Sequence, residues 1–581
     1  MRKIILFLLI SVTAFSCTDL DETLYSGISR DNFYNNEEEV TAAILRVYEH
    51  GRWFFTNTFD AYVLEELTAD QMVVTQKGGH WYDQGKFIRL HRHEWTSEEP
   101  EIYGTWRGAF IGIALSNTLI DELASLDYDE IPGNLTPEMQ QMHINEMRIL
   151  RAHYYYHLIS WFGTVPISEI SSGTPPDPSS REEVFEWAVR ELEEATELMP
   201  EVTYNQAQGR LNKAAGKLLL ARFYLNSEVW TGVPRYAEAE QIAREIIDGQ
   251  YGDFQLDPTF YGPFAYDNAQ NSREMIYGFS RNLTYSGTYD NYNPFYHYQA
   301  PQYFGSVGQP WNGFHLQPSR VAPARGVDYP ERQTHPRFIP VEDYDRESLE
   351  SYDWGTGIGS PYDMFHDDDL RKQPFNFEGP VGTENKNFDN VIGMFLEGHQ
   401  DSPITGIVGI GSNEYPGQDL VFVDFVSRAS EGSHESATSQ GEENTGIRLV
   451  KYPIYPESFD GYMNADWVEF RLAEAYYILA ESLIRQGKPG AADAINAVKQ
   501  RNFVDYAPHA YTDAELDLDE MLAEWGREFL GERRRRTDLI RFGKFTSPWW
   551  DKDESPEYRE LLPYPSRVLS TNPNLQQNPG Y

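Results

Sequence analysis

Apolar residues recur at helical spacing in four separate parts of the chain, and each part holds two amphipathic segments. The clearest pair starts at Trp467, where apolar residues recur every three or four positions up to a Gly/Pro turn at 487–490. A second helix is predicted at 491–498, and residues 467–500 together have the length of one tetratricopeptide repeat. The other three predicted pairs are 37–53 with 102–126, 137–162 with 181–199, and 212–226 with 236–248.

The middle of the chain, about 251–462, has a different pattern. It is rich in Gly, Pro, Asn and aromatic residues and contains only short strand-like runs. Disordered segments are poor in aromatic residues, so we expect a compact, loop-rich subdomain packed on the helices.

The predicted fold class is therefore mainly α. It consists of four helix pairs packed against an irregular loop-rich subdomain with a few short strands. We expect residues 17–581 to form a single unit, with a helical scaffold at about 30–250 and 463–545 and a C-terminal tail at 546–581.

The N-terminus has the pattern of an export signal. Arg2 and Lys3 precede an apolar run at 4–15, which is shorter than the roughly 20 residues that cross a bilayer. Small residues then lead to Cys17, the only cysteine, whose thiol can be acylated. We expect 1–16 to be a lipoprotein signal peptide and Cys17 to be the lipidated first residue of the mature protein. A plain signal peptide with an incidental cysteine is the alternative.

Charge narrows the possible partners. The chain has 90 acidic and 48 basic residues, a net charge of −42. The negative electrostatic field of a chain with this charge repels nucleic acid and anionic lipid surfaces, and it favours a neutral ligand over a sulfated or uronic one. A basic run at 533–536 lies between acidic residues, so we expect it to form internal ion pairs rather than to bind nucleic acid.

Aromatic residues in polar loops are the candidate binding groups. Trp81 and Tyr82 lie in a Gly/His-rich loop at 76–86, between the two helices of the first pair. The face of an indole ring can stack on the apolar face of a sugar ring. The alternative for Trp81 is a local core position under the loop.

A second aromatic cluster lies in the loop-rich region. Five tyrosines fall within 285–298, among them Tyr289 and Tyr292, and Trp311 follows in a Gly/Pro-rich stretch. Trp354 is a third candidate. Sugar hydroxyls also need polar partners, for which the candidates are Asp70, Asp83 and Arg320.

Metal sites and catalytic motifs are weakly represented. His91 and His93 are expected in a solvated loop, and the run at 366–369 lacks the Gly and the terminal Glu of an EF-hand calcium loop. No HExxH or GxSxG motif occurs, and the sole cysteine is the predicted acylation site. The prediction is a non-enzymatic protein without a cofactor or metal.

Six segments, in this order and spacing, carry a resemblance to a known family. They are 16–19, 146–167, 209–226, 470–488, 528–545 and 562–581. In these segments the chain resembles the SusD/RagB family, the surface glycan-binding lipoproteins of Bacteroidetes uptake systems. The resemblance covers essentially the whole mature chain.

The resemblance implies a fold, a partner and a location. The implied fold is mainly α, with four tetratricopeptide-like helix pairs that form an α-α superhelix beside an irregular region, and the Trp81 loop contributes to a glycan platform. The partner is a SusC-like, TonB-dependent outer-membrane transporter. Asp19, Asp21 and Glu22 resemble the signal that sends such lipoproteins to the outer leaflet, so we expect a lipid anchor in the outer membrane, facing the cell exterior.

The predicted function is therefore capture of oligo- or polysaccharide at the cell surface and its delivery to that transporter. Two alternatives stay open. One is a surface glycoside hydrolase or lyase that acts on the same glycans. The other is a structural lid that completes the transporter and has little glycan affinity of its own.

Overall fold

Helices dominate the part of the chain that the structure describes. The structure is a computed structural model, and it describes residues 33–170, 176–207, 209–281, 293–297, 311–322, 344–373, 376–377, 391–399, 421–426, 436–452 and 465–581. The helices are α1 (Glu37–Thr56), α2 (Ala61–Glu66), α3 (Lys86–His91), α4 (Pro100–Ala124), α5 (Pro137–Phe162), α6 (Arg181–Glu197), α7 (Lys213–Thr231), α8 (Tyr236–Ile247), α9 (Asn268–Asn271), α10 (Leu472–Arg485), α11 (Ala491–Lys499), α12 (Leu518–Glu528), α13 (Arg535–Arg541) and α14 (Ser566–Thr571).

Consecutive long helices pack against each other along the chain. Contacts join α1 to α4, α4 to α5, α5 to α6, α6 to α7, α7 to α8, α8 to α10, and α10 to α11. The helices of each of the four predicted pairs are therefore neighbours, and the mainly helical fold is confirmed. Their tetratricopeptide-like character stays a prediction.

Local sequence signals explain why helix α5 has the predicted bounds. The Thr136 side chain accepts a hydrogen bond from the Met139 N–H, and Pro137 occupies the first helical turn, where its missing N–H costs nothing. Gly163 follows the last helical residue with a φ of 72°, a conformation that glycine adopts without strain. The signals at both ends agree with the apolar pattern between them.

The strands are short and form two-stranded antiparallel pairs. They are β1 (Met72–Val74), β2 (Val165–Pro166), β3 (Pro178–Ser179), β4 (Met275–Phe279), β5 (Phe314–Leu316), β6 (Asn376–Phe377), β7 (Val391–Ile392), β8 (Phe395–Leu396), β9 (Gly398–His399), β10 (Val421–Phe422), β11 (Arg448–Leu449) and β12 (Trp467–Arg471). Within the described ranges the pairs are β1 with β5, β2 with β3, β4 with β12, β6 with β7, β8 with β11, and β9 with β10.

The predicted start of the last helix pair is wrong. Residues Trp467–Arg471 form strand β12, which pairs with β4 so that Trp467 lies opposite Phe279. Helix α10 begins only at Leu472. The aromatic and β-branched residues at this end suit a strand, and the partner that selects the strand lies almost 200 residues away in sequence.

Buried ion pairs run through the helical scaffold, as predicted for the basic run at 533–536. Arg533 pairs with Glu469 at 2.6 Å, Arg534 with Glu474 at 2.9 Å, and Arg535 with Asp70 at 2.6 Å. These three pairs confirm the internal pairing. Arg536 is also buried and donates to the carbonyl oxygens of Ser160 and Glu560.

Arg471 is a centre of this network. Its guanidinium contacts Glu274 at 3.0 Å, Glu528 at 2.7 Å and Glu532 at 2.8 Å, and its side chain is 1% exposed. Because a buried charge without a partner is costly, each of these groups requires the others.

The C-terminal tail returns to helix α5. The Leu562 N–H donates to the Trp161 carbonyl at 2.7 Å, and Trp549 and Trp550 are buried. Among the described helices, none has a stretch that is long and apolar enough to cross a membrane.

Candidate functional site

Two short strands bring the loops of Trp81 and Trp311 together. In the antiparallel pair of β1 and β5, Val74 lies opposite Phe314. Residues that follow one strand of such a pair lie beside those that precede the other, so the loop after β1 meets residues 311–313. The Trp81 Nε1 consequently donates a hydrogen bond of 2.9 Å to the Trp311 carbonyl, across 230 positions of sequence.

Three aromatic rings form one group at this place, which we call the aromatic platform: Phe59, Trp81 and Trp311. The Phe59 ring is nearly parallel to the Trp81 ring, with centroids 6.5 Å apart and an interplanar angle of 15°. Phe59 also lies 5.5 Å from the Trp311 ring. All three side chains are partly exposed, so the platform keeps aromatic surface in contact with solvent.

Trp81 combines the two roles that the sequence left open. Its ring packs on Phe87 at 5.7 Å and on Phe314 at 6.5 Å, both of which are buried. It is therefore part of a local core on one side and partly exposed on the other. A ring held in this way loses little conformational entropy when a ligand stacks on it.

The backbone around both tryptophans is in left-handed conformations. The φ angles are 58° at Trp81, 41° at Asp83, 57° at Gln84 and 53° at Asn312, which follows Trp311. Non-glycine residues rarely adopt this region, and each such residue costs of order 1–3 kcal/mol. Strain of this kind concentrates at functional sites, because the surrounding structure must compensate for it.

Gly313 sets the position of the Trp81 ring. A Cβ atom built on Gly313 would lie 2.5 Å from two carbons of the indole, closer than real Cβ contacts. Any larger residue at this position would therefore displace the Trp81 ring.

Buried polar groups support the platform. Lys77 is 3% exposed, and its Nζ lies 3.3 Å from the Thr75 carbonyl oxygen and 3.4 Å from that of Gly313. Burial, assisted by the nearby Arg448 guanidinium, lowers the pKa of Lys77 to about 7. Lys77 thus joins the loop of Trp81 to the residues that follow Trp311.

The side chain of Asn312 is held in the same region. Its amide nitrogen donates to Glu443 at 2.7 Å, and its amide oxygen accepts from Arg448 at 2.6 Å. All three side chains are buried. The unusual φ of Asn312 is therefore fixed by hydrogen bonds on both sides of its amide.

Tyr82 and Asp83 lie at the exposed end of the Trp81 loop. Tyr82 is 51% exposed, which makes it one of the most exposed large aromatic residues that the structure describes. Asp83 is exposed and begins a short 3-10 turn, Asp83–Gly85. Both positions are accessible to a ligand beside Trp81.

Asp70 does not fit the predicted role of a sugar contact. It is 0% exposed, its two carboxylate oxygens accept from Arg535 at 2.6 and 2.9 Å, and one of them also accepts the Gly359 N–H at 2.7 Å. Asp70 is held in the interior by this partner. Arg535 lies 465 residues away in sequence, so the local sequence pattern gives no sign of the pair.

Trp354 lies in a different group from the platform. It stacks on Tyr352 at 5.5 Å and packs in a cluster with Val73 and Trp550. Val73 and Val74 are consecutive in β1, so their side chains point to opposite faces of the strand. The structure therefore does not bring Trp354 to the platform.

Arg320 forms ion pairs with acidic residues. Its guanidinium lies 3.4 Å from Asp363 and 3.5 Å from Glu347, and it also donates to the Ser351 hydroxyl. Glu347 lines a polar cleft of about 380 Å³, in which Arg346 pairs with Asp424 at 3.0 Å. Arg320 is thus placed beside this cleft.

Three predicted residues lie outside the described part of the chain: Tyr289, Tyr292 and Cys17. Their roles stay predictions. One tyrosine of the same cluster, Tyr296, is described; it is 1% exposed and its hydroxyl donates to the Tyr452 carbonyl, so it is a core residue.

The expected solvated loop at His91 and His93 is wrong. Both imidazoles are buried, His91 beside the Trp550 carbonyl at 2.6 Å and His93 beside the Thr68 carbonyl at 2.8 Å. Burial lowers the pKa of His91 to about 4 and that of His93 well below its usual value. They are neutral structural residues that fix the chain between α3 and α4.

Phe59 is the member of the platform that sequence reasoning missed. It lies in the connection between α1 and α2, where its N–H donates to the Asn57 side chain at 2.9 Å. A polar connection that ends one helix and contains an aromatic residue, Asn57-Thr58-Phe59-Asp60, is the signal that could have found it.

Comparison with known families gives two matches that together cover more than half of the chain. Residues 20–225 match a family described as "Starch-binding associating with outer membrane", and residues 424–559 match the SusD family. The first match contains the Trp81 loop and the second contains the basic run at 533–536.

The chain is also similar to individual proteins. The chain is 28% identical to the starch-binding protein SusD of Bacteroides thetaiotaomicron over 453 residues, which are 75% of this chain and 72% of the relative. Its fold is similar to surface glycan-binding protein A from Bacteroides fluxus, with a TM-score of 0.63, 19% identity, and coverage of 94% of this chain and all of that one. It is also similar to the Bacteroides thetaiotaomicron protein of that name in complex with laminarihexaose, with a TM-score of 0.60, 17% identity, and coverage of 94% and 99%.

Proposed function

Because the chain belongs to the SusD/RagB family, we propose that it is a non-enzymatic, cell-surface glycan-binding lipoprotein. The observation that carries the proposal is the aromatic platform. Two tryptophans from distant loops are joined by a hydrogen bond and keep part of their rings exposed.

The proposed ligand is a neutral oligo- or polysaccharide. Sugar rings present apolar faces that stack on aromatic rings, and their hydroxyl groups need polar partners. Tyr82 and Asp83 are exposed beside Trp81 and could supply such partners. The net charge of −42 disfavours anionic glycans, because they would be repelled as they approach.

We further propose that the protein delivers its ligand to a SusC-like, TonB-dependent transporter in the outer membrane. A lipid on Cys17 would anchor the protein there, facing the cell exterior. The family match described as starch-binding and associating with the outer membrane supports this location. Copurification of a β-barrel transporter with the protein from its native membrane would test the partnership, and labelling with radioactive palmitate would test the anchor, since Cys17→Ser should abolish it.

Binding is tested with a panel of soluble polysaccharides in affinity gels, followed by calorimetry on the best ligand. The proposal expects at least one neutral glycan to retard the protein. Failure to bind any glycan, with or without the copurified transporter, would contradict it and would favour the structural lid.

The alternative of a hydrolase or lyase is tested in the same samples. A binding protein leaves the number of reducing ends unchanged after prolonged incubation, whereas a hydrolase or lyase increases it. New reducing ends that form with the wild-type protein and are lost in Trp81→Ala would contradict the proposed non-enzymatic role.

A further inference from the structure

A second group of polar side chains lies at the surface and shares no residue with the aromatic platform. It consists of His366, Asp368 and His509, and one potential ligand atom of each lies within 4.8 Å of the others. The Nε2 of His509 is 3.4 Å from an Asp368 carboxylate oxygen, and the Nδ1 of His366 is 3.8 Å from the same oxygen. The two imidazole rings have centroids 4.4 Å apart.

This donor set fits a divalent transition metal better than calcium. Two imidazoles and a carboxylate are ligands that Zn²⁺ and its neighbours in the first row prefer, whereas Ca²⁺ takes six to eight oxygen atoms. Ligands around a tetrahedral Zn²⁺ lie about 3.3 Å from one another, given metal–ligand distances of about 2.0–2.2 Å. Small side-chain rotations would bring the three ligand atoms to that spacing.

The turn that carries His366 and Asp368 is held by a buried ion pair. Asp369 pairs with Arg371 at 2.8 Å, and Arg371 also pairs with Glu528 of α12 at 2.9 Å. The Asp368 N–H donates to the His366 Nδ1 at 3.1 Å. On binding a metal, the Nδ1 lone pair would exchange this hydrogen bond for the metal–nitrogen bond, with the proton of the neutral imidazole on Nε2.

His509 is fixed by packing. Its ring stacks on Phe503, with centroids 4.3 Å apart and an interplanar angle of 20°. The segment of His509 is also tied to the turn, because the Leu370 N–H donates to the Asn502 carbonyl at 2.8 Å. The ligands are therefore supported by second interactions, as effective metal sites require.

A comparable buried group shows why the surface group is the better candidate. His153, His157 and Glu469 also bring potential ligand atoms together, but Glu469 already contacts Arg222 at 3.2 Å and Arg533 at 2.6 Å. A dication there would face two guanidinium groups without solvent screening. At the surface group the neighbouring cation, Lys372, is paired with Asp367 at 2.7 Å.

We propose that His366, Asp368 and His509 bind one divalent transition-metal ion, for which Zn²⁺ is the probe, with water completing the coordination. His509 lies in the connection between α11 and α12, whereas His366 and Asp368 lie in the loop-rich region. The bound ion would clamp the loop-rich region to the helical scaffold.

Calorimetric titration with Zn²⁺ tests this site in the intact protein, purified without a polyhistidine tag and treated with a chelator. We expect saturation at one ion per chain and a rise in the thermal midpoint when Zn²⁺ is present. Asp368→Asn and His509→Ala should each weaken binding by at least about tenfold. Asp505→Asn, which changes an exposed carboxylate four residues before His509 and outside the group, should keep the affinity within about twofold.

Absence of saturable Zn²⁺ binding to the wild-type protein would overturn the proposal, and so would unchanged affinity in Asp368→Asn and His509→Ala. Saturable binding of Ca²⁺ but not of Zn²⁺ would overturn the assigned class of metal. If His509→Ala loses its native circular dichroism, His366→Ala provides the test, because the His366 side chain is 58% exposed. Its retention of wild-type Zn²⁺ affinity would equally contradict the site.

Discussion

The interior of the helical scaffold and the aromatic platform use opposite means to fix their side chains. In the scaffold, charged groups such as Arg471 are buried among several partners on strand β12, on helix α12 and on the turns beside them. In the platform, the backbone is irregular and left-handed, and aromatic rings hold one another while keeping part of their surface exposed. The scaffold is thus organised for stability, and the platform is organised to present a surface.

The variant with the largest expected effect disrupts the buried ion pairs of the scaffold. Arg471→Met removes the guanidinium that Glu274, Glu528 and Glu532 share, although each of them keeps another cationic partner, so we expect the free energy of unfolding to fall by about 3 kcal/mol, the lower end of the cost of breaking a buried pair. Urea unfolding followed by tryptophan fluorescence measures the loss. Arg244→Ala is the control, because Arg244 is half-exposed and its pair with Glu240 is worth only about 0.3–0.5 kcal/mol. Equal stability of the two variants would contradict the role given to buried pairs.

Glu66 provides a pH-dependent test of the same interior. It is fully buried; one carboxylate oxygen accepts the Arg534 N–H, and the other has no hydrogen-bond partner among the described residues. Burial raises the pKa of Glu66 from 4.5 to about 7, so the folded state holds this proton to higher pH than the unfolded state does. Its contribution to stability is therefore lost as pH rises from about 4.5 to 7.

Glu66→Gln should remove that dependence. We expect the free energy of unfolding to equal that of wild type near pH 4.5 and to exceed it by about 3 kcal/mol above pH 7. This value follows from a pKa difference of about 2.5, since each pKa unit corresponds to about 1.36 kcal/mol. Unfolding in urea across this pH range measures it, with the exposed Glu49→Gln as control. A difference that is constant with pH would show that Glu66 is ionised in the folded protein.

On the platform side, Trp81→Ala should reduce glycan affinity by about tenfold or more, which is roughly 1.4 kcal/mol. The variant removes both the stacking surface and the hydrogen bond to the Trp311 carbonyl. Calorimetry with the best glycan from the panel measures the change. Trp53→Ala removes an exposed tryptophan of helix α1 and should bind as wild type does. Similar loss in both variants would point to a general effect of removing tryptophan.

The variant with the smallest expected effect tests whether the position of the Trp81 ring matters when every aromatic residue is kept. Gly313→Ala keeps every aromatic residue but places a Cβ 2.5 Å from the Trp81 ring, so we expect affinity to fall by about threefold to tenfold. Gly79→Ala is the matched control in the loop of Trp81, because a Cβ there meets nothing within 4 Å. Unchanged binding by Gly313→Ala would mean that the position of the Trp81 ring does not matter.

The same contrast explains what could be predicted from sequence. Helix α5 was predicted with correct bounds because its apolar pattern, Pro137 and Gly163 are local signals. Strand β12 was mistaken for a helix because the partner that selects it, β4, is distant in sequence. Asp70 does not fit its predicted role as a sugar contact for the same reason, since its partner Arg535 is also distant in sequence.

The platform was predicted only in part. Trp81 and Trp311 are predicted as binding residues because aromatic residues in polar loops are unusual. Their contact depends on the three-residue strands β1 and β5, which are too short to leave a periodic signal. The left-handed backbone at Trp81 and Asn312 is likewise imposed by tertiary contacts rather than by a local motif.

The most direct test of the central claim is a crystal structure of the protein with its best-binding oligosaccharide. The account predicts that a sugar ring lies with its face within about 4 Å of the Trp81 or Trp311 ring, with hydroxyl groups near Tyr82 or Asp83. An oligosaccharide bound at another place, with neither tryptophan in contact with it, would contradict the claim that the aromatic platform is the glycan site.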